Sequence, residues 1–190
     1  TKPNSNLYSK IKFLIKNFSF KNTYVKRFYN KNILNKIFLK NFNFNSKVKF
    51  FFIEHHLAHI ASAFYASDFK DAIGLSIDGS GDFTTMMIAE CKDEKIKVKE
   101  KINFPDSLGI FYHAMTQFLG FKNFGDEYKA MGLASYGEDL YFEKIKKNLF
   151  IESKNFFKLN MKYFNHGKSS FDYSFRSINS IPNIYNNELD

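Results

Sequence analysis

Apolar and polar positions alternate in short blocks along the chain, and each block predicts an element. Ile11, Leu14, Ile15 and Phe18, then Val25, Phe28, Tyr29, Ile33, Ile37 and Phe38, recur at helical spacing with lysines between them. This predicts two amphipathic helices whose apolar faces suit a neighbouring sheet. After an Asn-rich connection at residues 41–46, the apolar run 48–53 has the length of a buried strand. Residues 55–66, rich in Ala and free of Gly and Pro, predict a helix. Residues 72–77 predict a second strand that ends in the turn Asp78-Gly79-Ser80-Gly81-Asp82. Further strands are expected at 84–89 and 96–102, where Lys alternates with apolar residues as on a strand with one wet face. Pro105-Asp106-Ser107 then punctuates the chain before a helix at 108–119, with Ser107 as its N-cap. Short helices near 127–134 and 140–149 follow; beyond Phe150 the pattern weakens, and 179–190 reads as loop. No internal repeat is visible, and the order is that of an α/β protein with mixed strands.

Composition narrows the class. The 190 residues suffice for one domain or little more, and 44% hydrophobic with 25% charged residues allow a buried core. The 25 Phe and absent Trp, with abundant Lys, Asn and Ile, read as codon bias towards A and T. A single cysteine, Cys91, excludes an internal disulfide framework and a multi-Cys zinc knuckle, and makes a reducing, cytoplasmic setting the default expectation. Beside Lys92, Cys91 reads as exposed, with no base near it. No segment reads as a signal peptide or membrane span. The longest uncharged stretch, 108–121, includes His113, Thr116 and Gln117 and is too short to cross about 30 Å of hydrocarbon.

The net charge of +9 is uneven. Residues 1–50 carry 12 basic and no acidic side chains; the other 140 carry 16 basic and 19 acidic. A basic first quarter can meet RNA, anionic lipid or an acidic partner. Its helical apolar spacing favours a plainer reading, solvated faces of helices packed on a sheet.

Chemistry-bearing residues concentrate in four places. Glu54-His55-His56-Leu57-Ala58-His59 holds three of the five histidines. On a helix His55 and His59 are four apart and share a face, a spacing that can grip one metal ion, although helix-start histidines also serve as caps or carboxylate partners. The His-Glu-x-x-His zincin pattern is absent. In Asp78-Gly79-Ser80-Gly81-Asp82 the glycines let backbone approach a phosphate, and Asp78 at the strand end can hold a metal or its water. The alternative is a plain hairpin turn. The EF-hand reading fails because Phe83 stands where the loop needs Gly and Ala89 where it needs Glu. Ser107-Leu108-Gly109 opens a helix whose free N–H groups suit an anion, or is simply an N-cap. Glu127-Tyr128-Lys129 places an acid and a base two apart among glycines, where Lys129 can meet a phosphate or form a surface ion pair. His113 and His166 stand alone and read as structural.

Taken together, residues 54–65, 77–82, 107–112, 116–121 and 127–137 strongly resemble, in one order, the carbamoyltransferase family that carbamoylates nodulation factors and antibiotics. The metal-binding domain of that family is related to the universal tRNA threonylcarbamoyladenosine synthase. The resemblance implies an actin-like ATPase, ribonuclease-H-like α/β fold, present here as an incomplete domain. Residues 1–45 would be its basic helical segment, 46–150 its metal- and nucleotide-binding core and 151–190 a weakly patterned continuation. It implies transfer of a carbamoyl group from carbamoyl-adenylate, made from carbamoyl phosphate and ATP, to a hydroxyl of a small-molecule or saccharide acceptor. By the same resemblance His55, His59 and Asp78 are the metal ligands, with Fe(II) the expected ion and Zn or Mn as alternatives. His56 would turn away from the ion. Gly79, Ser80, Gly81, Ser107 and Gly109 would cradle the adenylate phosphate and ribose, and Glu127 and Lys129 match a motif of the same ligand region. The family's acceptor-binding Asp and His, a further Asp ligand and the adenylate-forming domain have no counterpart in these 190 residues. The chain is therefore expected to be part of a larger enzyme and inactive by itself, with nucleic acid an unlikely partner. Its rivals are a tRNA threonylcarbamoyladenosine-type transferase and a truncated, non-catalytic binding module.

Overall fold

The computed structural model describes residues 6–16, 39–41, 48–121, 123, 125–153, 156–164 and 166. Three strands form an antiparallel meander, β1 (Asp71–Gly81), β2 (Thr84–Lys92) and β3 (Lys95–Asn103), in that spatial order. Helix α1 (Leu7–Lys16) precedes them at a distance in sequence, and α2 (His55–Phe64) immediately. After the sheet come α3 (Leu108–Phe118), α4 (Glu127–Ala134) and α5 (Phe142–Leu149), and then a small hairpin of β4 (Phe150–Glu152) and β5 (Phe157–Leu159). The described ladders are all antiparallel, so the expected mixed strands are corrected, while the α/β composition stands.

Both turns of the meander are two-residue loops with positive φ at each central residue: Asp82 (51°) and Phe83 (78°), then Asp93 (46°) and Glu94 (61°). Such turns follow the right-handed strand twist and keep the pairs close. The hairpin therefore turns at Asp82-Phe83, four residues later than the Asp-Gly signal at 78–79 suggests. A bulky residue in the left-handed region is costly. Phe83 is held there by burial against Phe13 of α1 and Phe104, whose ring centroids lie 5.5 and 5.7 Å away in edge-to-face contact.

The strand that precedes this turn is irregular. Ile77 pairs with Met86 and Gly81 with Thr84, so three residues, Asp78, Gly79 and Ser80, stand opposite Thr85 alone. Such a bulge re-aims side chains at the end of a strand. Helix α3 is fixed to this bulge. Ser107 caps it by accepting from the Ile110 N–H at 3.0 Å, and the same hydroxyl lies 2.8 Å from the Gly79 carbonyl and 3.2 Å from that of Asp78. Gly109 allows the approach: a Cβ there would lie 2.5 Å from the Gly79 nitrogen and 2.7 Å from the Asp78 carbonyl carbon.

Helix α2 packs on the sheet through Ile60 and Phe64, which meet Met87, Ala89 and Cys91. Cys91 is 1% exposed, so the exposed reading is corrected: it occupies an inward position of a central strand. His56, fully buried, ties α2 to both neighbouring strands, Nδ1 at 2.8 Å from Ser76 Oγ and Nε2 at 2.9 Å from the Thr84 carbonyl. A third apolar cluster joins Ala114 of α3 to Leu149, Leu159 and Phe164. Among the described residues β1 and β3 are the edge strands. Ile73, Leu75 and Ile77 of β1 are exposed, whereas β3 presents Lys95, Lys97 and Lys99 to solvent.

Other expectations need correction. Residues 48–53 form no strand; Phe51 and Ile53 are 83% and 58% exposed, because no described backbone offers them a ladder. Among the described side chains of α1, which do not include Leu14, Phe13 is buried and Ile11 and Ile15 face outward. The aromatic pair Phe83–Phe104 selects the larger ring over the aliphatic stripe. Phe18, the expected second helix at residues 25–38 and the loop at 179–190 lie outside the described residues, as do 42–46 of the Asn-rich connection. The β4–β5 hairpin was legible only as a weakening of pattern. No helix among the described residues is long and apolar enough to cross a membrane.

Two measurements check this account. Gly109→Ala should cost about 1–3 kcal/mol in urea unfolding, since backbone must yield to the methyl group. Gly132→Ala, where a Cβ meets nothing within 4 Å in a helix, should instead stabilise by about 0.5–1 kcal/mol. Burial lowers the pKa of His56 and of His166 more than their carbonyl partners, Thr84 and Pro105, raise it. Protonation therefore favours the unfolded chain. With chelator present, stability should be level above about pH 7 and fall below about pH 6.5, by up to about 1.4 kcal/mol per pH unit for each histidine.

Candidate metal centre

The bulge of β1 and the first turn of α2 bring three ligand-type side chains together. Nε2 of His55 lies 2.8 Å from Asp78 Oδ2 and 3.0 Å from His59 Nε2, and His59 Nε2 lies 3.8 Å from the same carboxylate oxygen. One ligand atom from each residue falls within 4.8 Å of the others. Ligand atoms at right angles on an ion with bonds of about 2.1 Å would stand about 3.0 Å apart, so the spacing fits a shared cation. The donor chemistry agrees. A ring nitrogen carries at most one hydrogen or one lone pair, yet His55 Nε2 lies at contact distance from both the Asp78 carboxylate and His59 Nε2.

Asp78 and His55 are held from behind. The Gly79 N–H donates to Asp78 Oδ1 at 2.6 Å, leaving Oδ2 for the histidines. Burial pushes the Asp78 carboxyl up, but the His55 hydrogen bond, the Gly79 N–H and the nearby imidazoles outweigh it and hold the pKa below the ordinary value. The backbone N–H of His55 donates to Asp82 Oδ2 at 3.0 Å, while Glu54 Oε2 accepts from the Leu57 N–H at 2.8 Å. Two carboxylates thus complement the positive end of α2. The His55 ring lies against Gly81: a Cβ at that position would fall 1.9–2.6 Å from the ring atoms. The side chains of His55, Asp78 and His59 are 30%, 43% and 53% exposed, open enough for further ligands. A cleft of about 760 Å³ runs from His59 and Asp78 along α2 and β1, lined by Ala63, Phe64, Ile73 and Leu75 among others.

The remaining residues singled out from the sequence fall in different places. His56 points away from the cluster into the sheet. Gly79 is open, with nothing within 4 Å of a would-be Cβ, and Ser80 is half-buried beside it in the bulge. Ser107 and Gly109 lie at the foot of the bulge, but Ser107 is fully buried with its hydroxyl engaged, and Gly109 is occupied by backbone. Lys129 pairs with Asp126 at 2.7 Å rather than with Glu127. Glu127 instead lies 2.7 Å from Nδ1 of His113, so His113 does not stand alone. Gly81, expected in a phosphate cradle, instead seats the His55 ring, and the contributions of Asp82 and Gln117 were not read from sequence. For Gln117 the signal was its i,i+4 spacing to His113; for Asp82 and Gly81 it was hidden by the unexpected turn position.

An open cluster of two histidines and one carboxylate on an α/β frame is a candidate metal site. Comparison with known proteins assigns the family: the model of the carbamoyltransferase N-terminus matches residues 9–176, and the chain belongs to that family. It is 42% identical over 87 residues to the nodulation protein NolNO of Sinorhizobium fredii, covering 46% of this chain and 13% of the relative. It is also 42% identical over 94 residues to the nodulation protein NolO of Bradyrhizobium diazoefficiens, covering 48% and 17%. An uncharacterised protein of Synechocystis is 43% identical over 116 residues, 60% of this chain and 19% of its own length. The chain spans a fifth or less of each of these three relatives.

Because the His55 ring rests on Gly81, Gly81→Ala should displace the ring while leaving the sheet paired. Titration with Zn(II) or Fe(II) should show a loss of affinity close to that of His55→Ala, about tenfold or more, with circular dichroism unchanged.

Proposed function

We propose that the chain is the central part of the metal-binding region of an O-carbamoyltransferase. In this reading the complete enzyme takes a carbamoyl group from carbamoyl-adenylate, formed from carbamoyl phosphate and ATP, to a hydroxyl of a small-molecule or saccharide acceptor. The observation that carries it is the convergence of His55, His59 and Asp78 in a chain of this family. The antiparallel meander followed by α3 is compatible with an actin-like, ribonuclease-H-like domain of which these residues supply a part.

His55, His59 and Asp78 would hold the ion, and two imidazoles with one carboxylate suit Fe(II), with Zn(II) or Mn(II) as alternatives. A bound ion would supply Lewis acidity to the phosphate or carbonyl of the donor. The protein's own part is positioning. The open backbone at Gly79 and Ser80 can approach the adenylate phosphate, and the cleft beside His59 can receive the acceptor. Ser107 and Gly109 serve this reading by fixing the bulge, since the Ser107 hydroxyl already bonds β1 carbonyls. In the transfer the acceptor oxygen attacks the carbamoyl carbon and forms a new C–O bond. The C–O bond to the adenylate phosphate breaks, AMP leaves with that electron pair, and the hydroxyl proton passes to solvent.

The test is made on the complete gene product. Purified protein should retain a divalent ion, measured by elemental analysis. His59→Ala should lose it, with affinity down about a hundredfold, while His113→Ala should keep it. Incubation with carbamoyl phosphate, ATP and candidate acceptors should release AMP and add one carbamoyl group to a hydroxyl compound. Chelation should stop the transfer and Fe(II) restore it. Equal ion content in the two variants, or undiminished transfer by His59→Ala, would overturn the reading.

A further inference from the structure

A second polar network lies apart from the metal cluster, between α3 and α4. His113 and Gln117, 8% and 5% exposed, sit one turn apart on α3. Nδ1 of His113 is 2.7 Å from Glu127 Oε1, and Nε2 of His113 is 2.8 Å from Nε2 of Gln117. Chemistry fixes the direction of this chain. An amide NH2 only donates, so Nε2 of His113 accepts and Nδ1–H donates to the carboxylate. Burial alone would raise the Glu127 pKa, but the His113 hydrogen bond and the backbone N–H of Glu127 itself outweigh it, and the carboxyl stays below its usual range. Its position in the first turn of α4 adds the favourable end of the helix dipole.

The arrangement exceeds what is needed to dock one helix on another. A buried polar chain contributes little over an apolar pair of similar volume, and each unmet group in it would be costly. This one runs inside the protein to end on a carboxylate that is 31% exposed. The same logic orients a catalytic imidazole or a ligating histidine through a partner on its far nitrogen. Helix α3 also carries the Ser107 and Gly109 contacts to the β1 bulge, and His113 lies five residues beyond Leu108, about 7.5 Å along the helix axis. Glu127 is therefore held by the helix that braces Asp78.

We propose that His113 and Gln117 are positioning residues that hold the Glu127 carboxylate as a hydrogen-bond acceptor for the hydroxyl groups of a bound sugar ring. This rests on the carbamoyl-transfer reading, in which both the nucleotide and a saccharide acceptor carry such hydroxyls. A carboxylate fixed on one side by His113 can accept from a hydroxyl with its other oxygen.

The test uses the complete gene product, with AMP, 2′,3′-dideoxy-AMP and a free hexose as probes in calorimetric titrations. Glu127→Gln and His113→Leu should each weaken AMP binding about ten- to a hundredfold, with the double variant no worse than either. His113→Asn, which returns an N–H donor to the place of Nδ1, should recover most of the loss. Dideoxy-AMP should bind weakly and alike to all variants. Thermal unfolding of each variant separates a misfolded protein from a mispositioned carboxylate, and rescue by Asn at unchanged stability is the result a purely structural role would not give. If only hexose binding responds to the variants, the hydroxyls belong to the acceptor, and the positioning role stands. If neither AMP nor hexose binding responds, or wild type binds neither, the proposal is overturned. Carbamoyl transfer and ion content, measured on the same wild-type preparation, report separately on the reading beneath it.

Discussion

Two surplus residues in one strand decide where Asp78 points. Without the bulge between Ile77 and Gly81, a regular ladder would set the alternation of side chains through the end of β1. The bulge is kept in shape by what lies beneath it: the Ser107 hydroxyl against two carbonyls and Gly109 pressed on the backbone. Everything proposed for the site inherits that constraint. Asp78 Oδ2 faces the histidines because its partner oxygen is already engaged by Gly79, and His55 reaches it because Gly81 leaves room for the ring.

The polar interior follows the same economy of partners. His56, Ser76, Thr84 and Thr85 are all buried, and each meets a hydrogen-bond partner across α2, β1, β2, β3 or the loop after β3. Fully matched polar groups of this kind specify a unique arrangement of helix and sheet, where an apolar seam would permit sliding. The candidate cluster lies beside this network, on the same helix and strand that His56 ties together.

Much of the frame was legible in the sequence because local signals and tertiary packing agree. The helix cap at Ser107, the helix Glu127–Ala134 and the Lys-alternating strand were readable from residue type and period. The family was readable because several spaced motifs coincide. The turn at Asp82-Phe83 was not, since Phe in a left-handed conformation is a choice made by Phe13 and Phe104, both distant in sequence. Residues 48–53 have strand-like composition, but composition cannot supply a hydrogen-bonding neighbour. At the site, His55, His59 and Asp78 could be named as candidates from motif and resemblance, whereas the seat of His55 on Gly81 and the His113–Glu127 pair depend on tertiary geometry.

The two edges of the sheet are chemically unlike. Among the described residues strand β3 ends the sheet and carries the exposed Lys95, Lys97 and Lys99, the last paired with Glu90, and such charged side chains discourage another strand from pairing there. Strand β1 has no such guard and flanks its outer edge with Ile73, Leu75 and Ile77. The sheet is consequently a polar template in the directional sense. Among the described strands, addition is open beside β1 and opposed beside β3, so a further strand next to β1 would bury the apolar flank of the strand that bears Asp78.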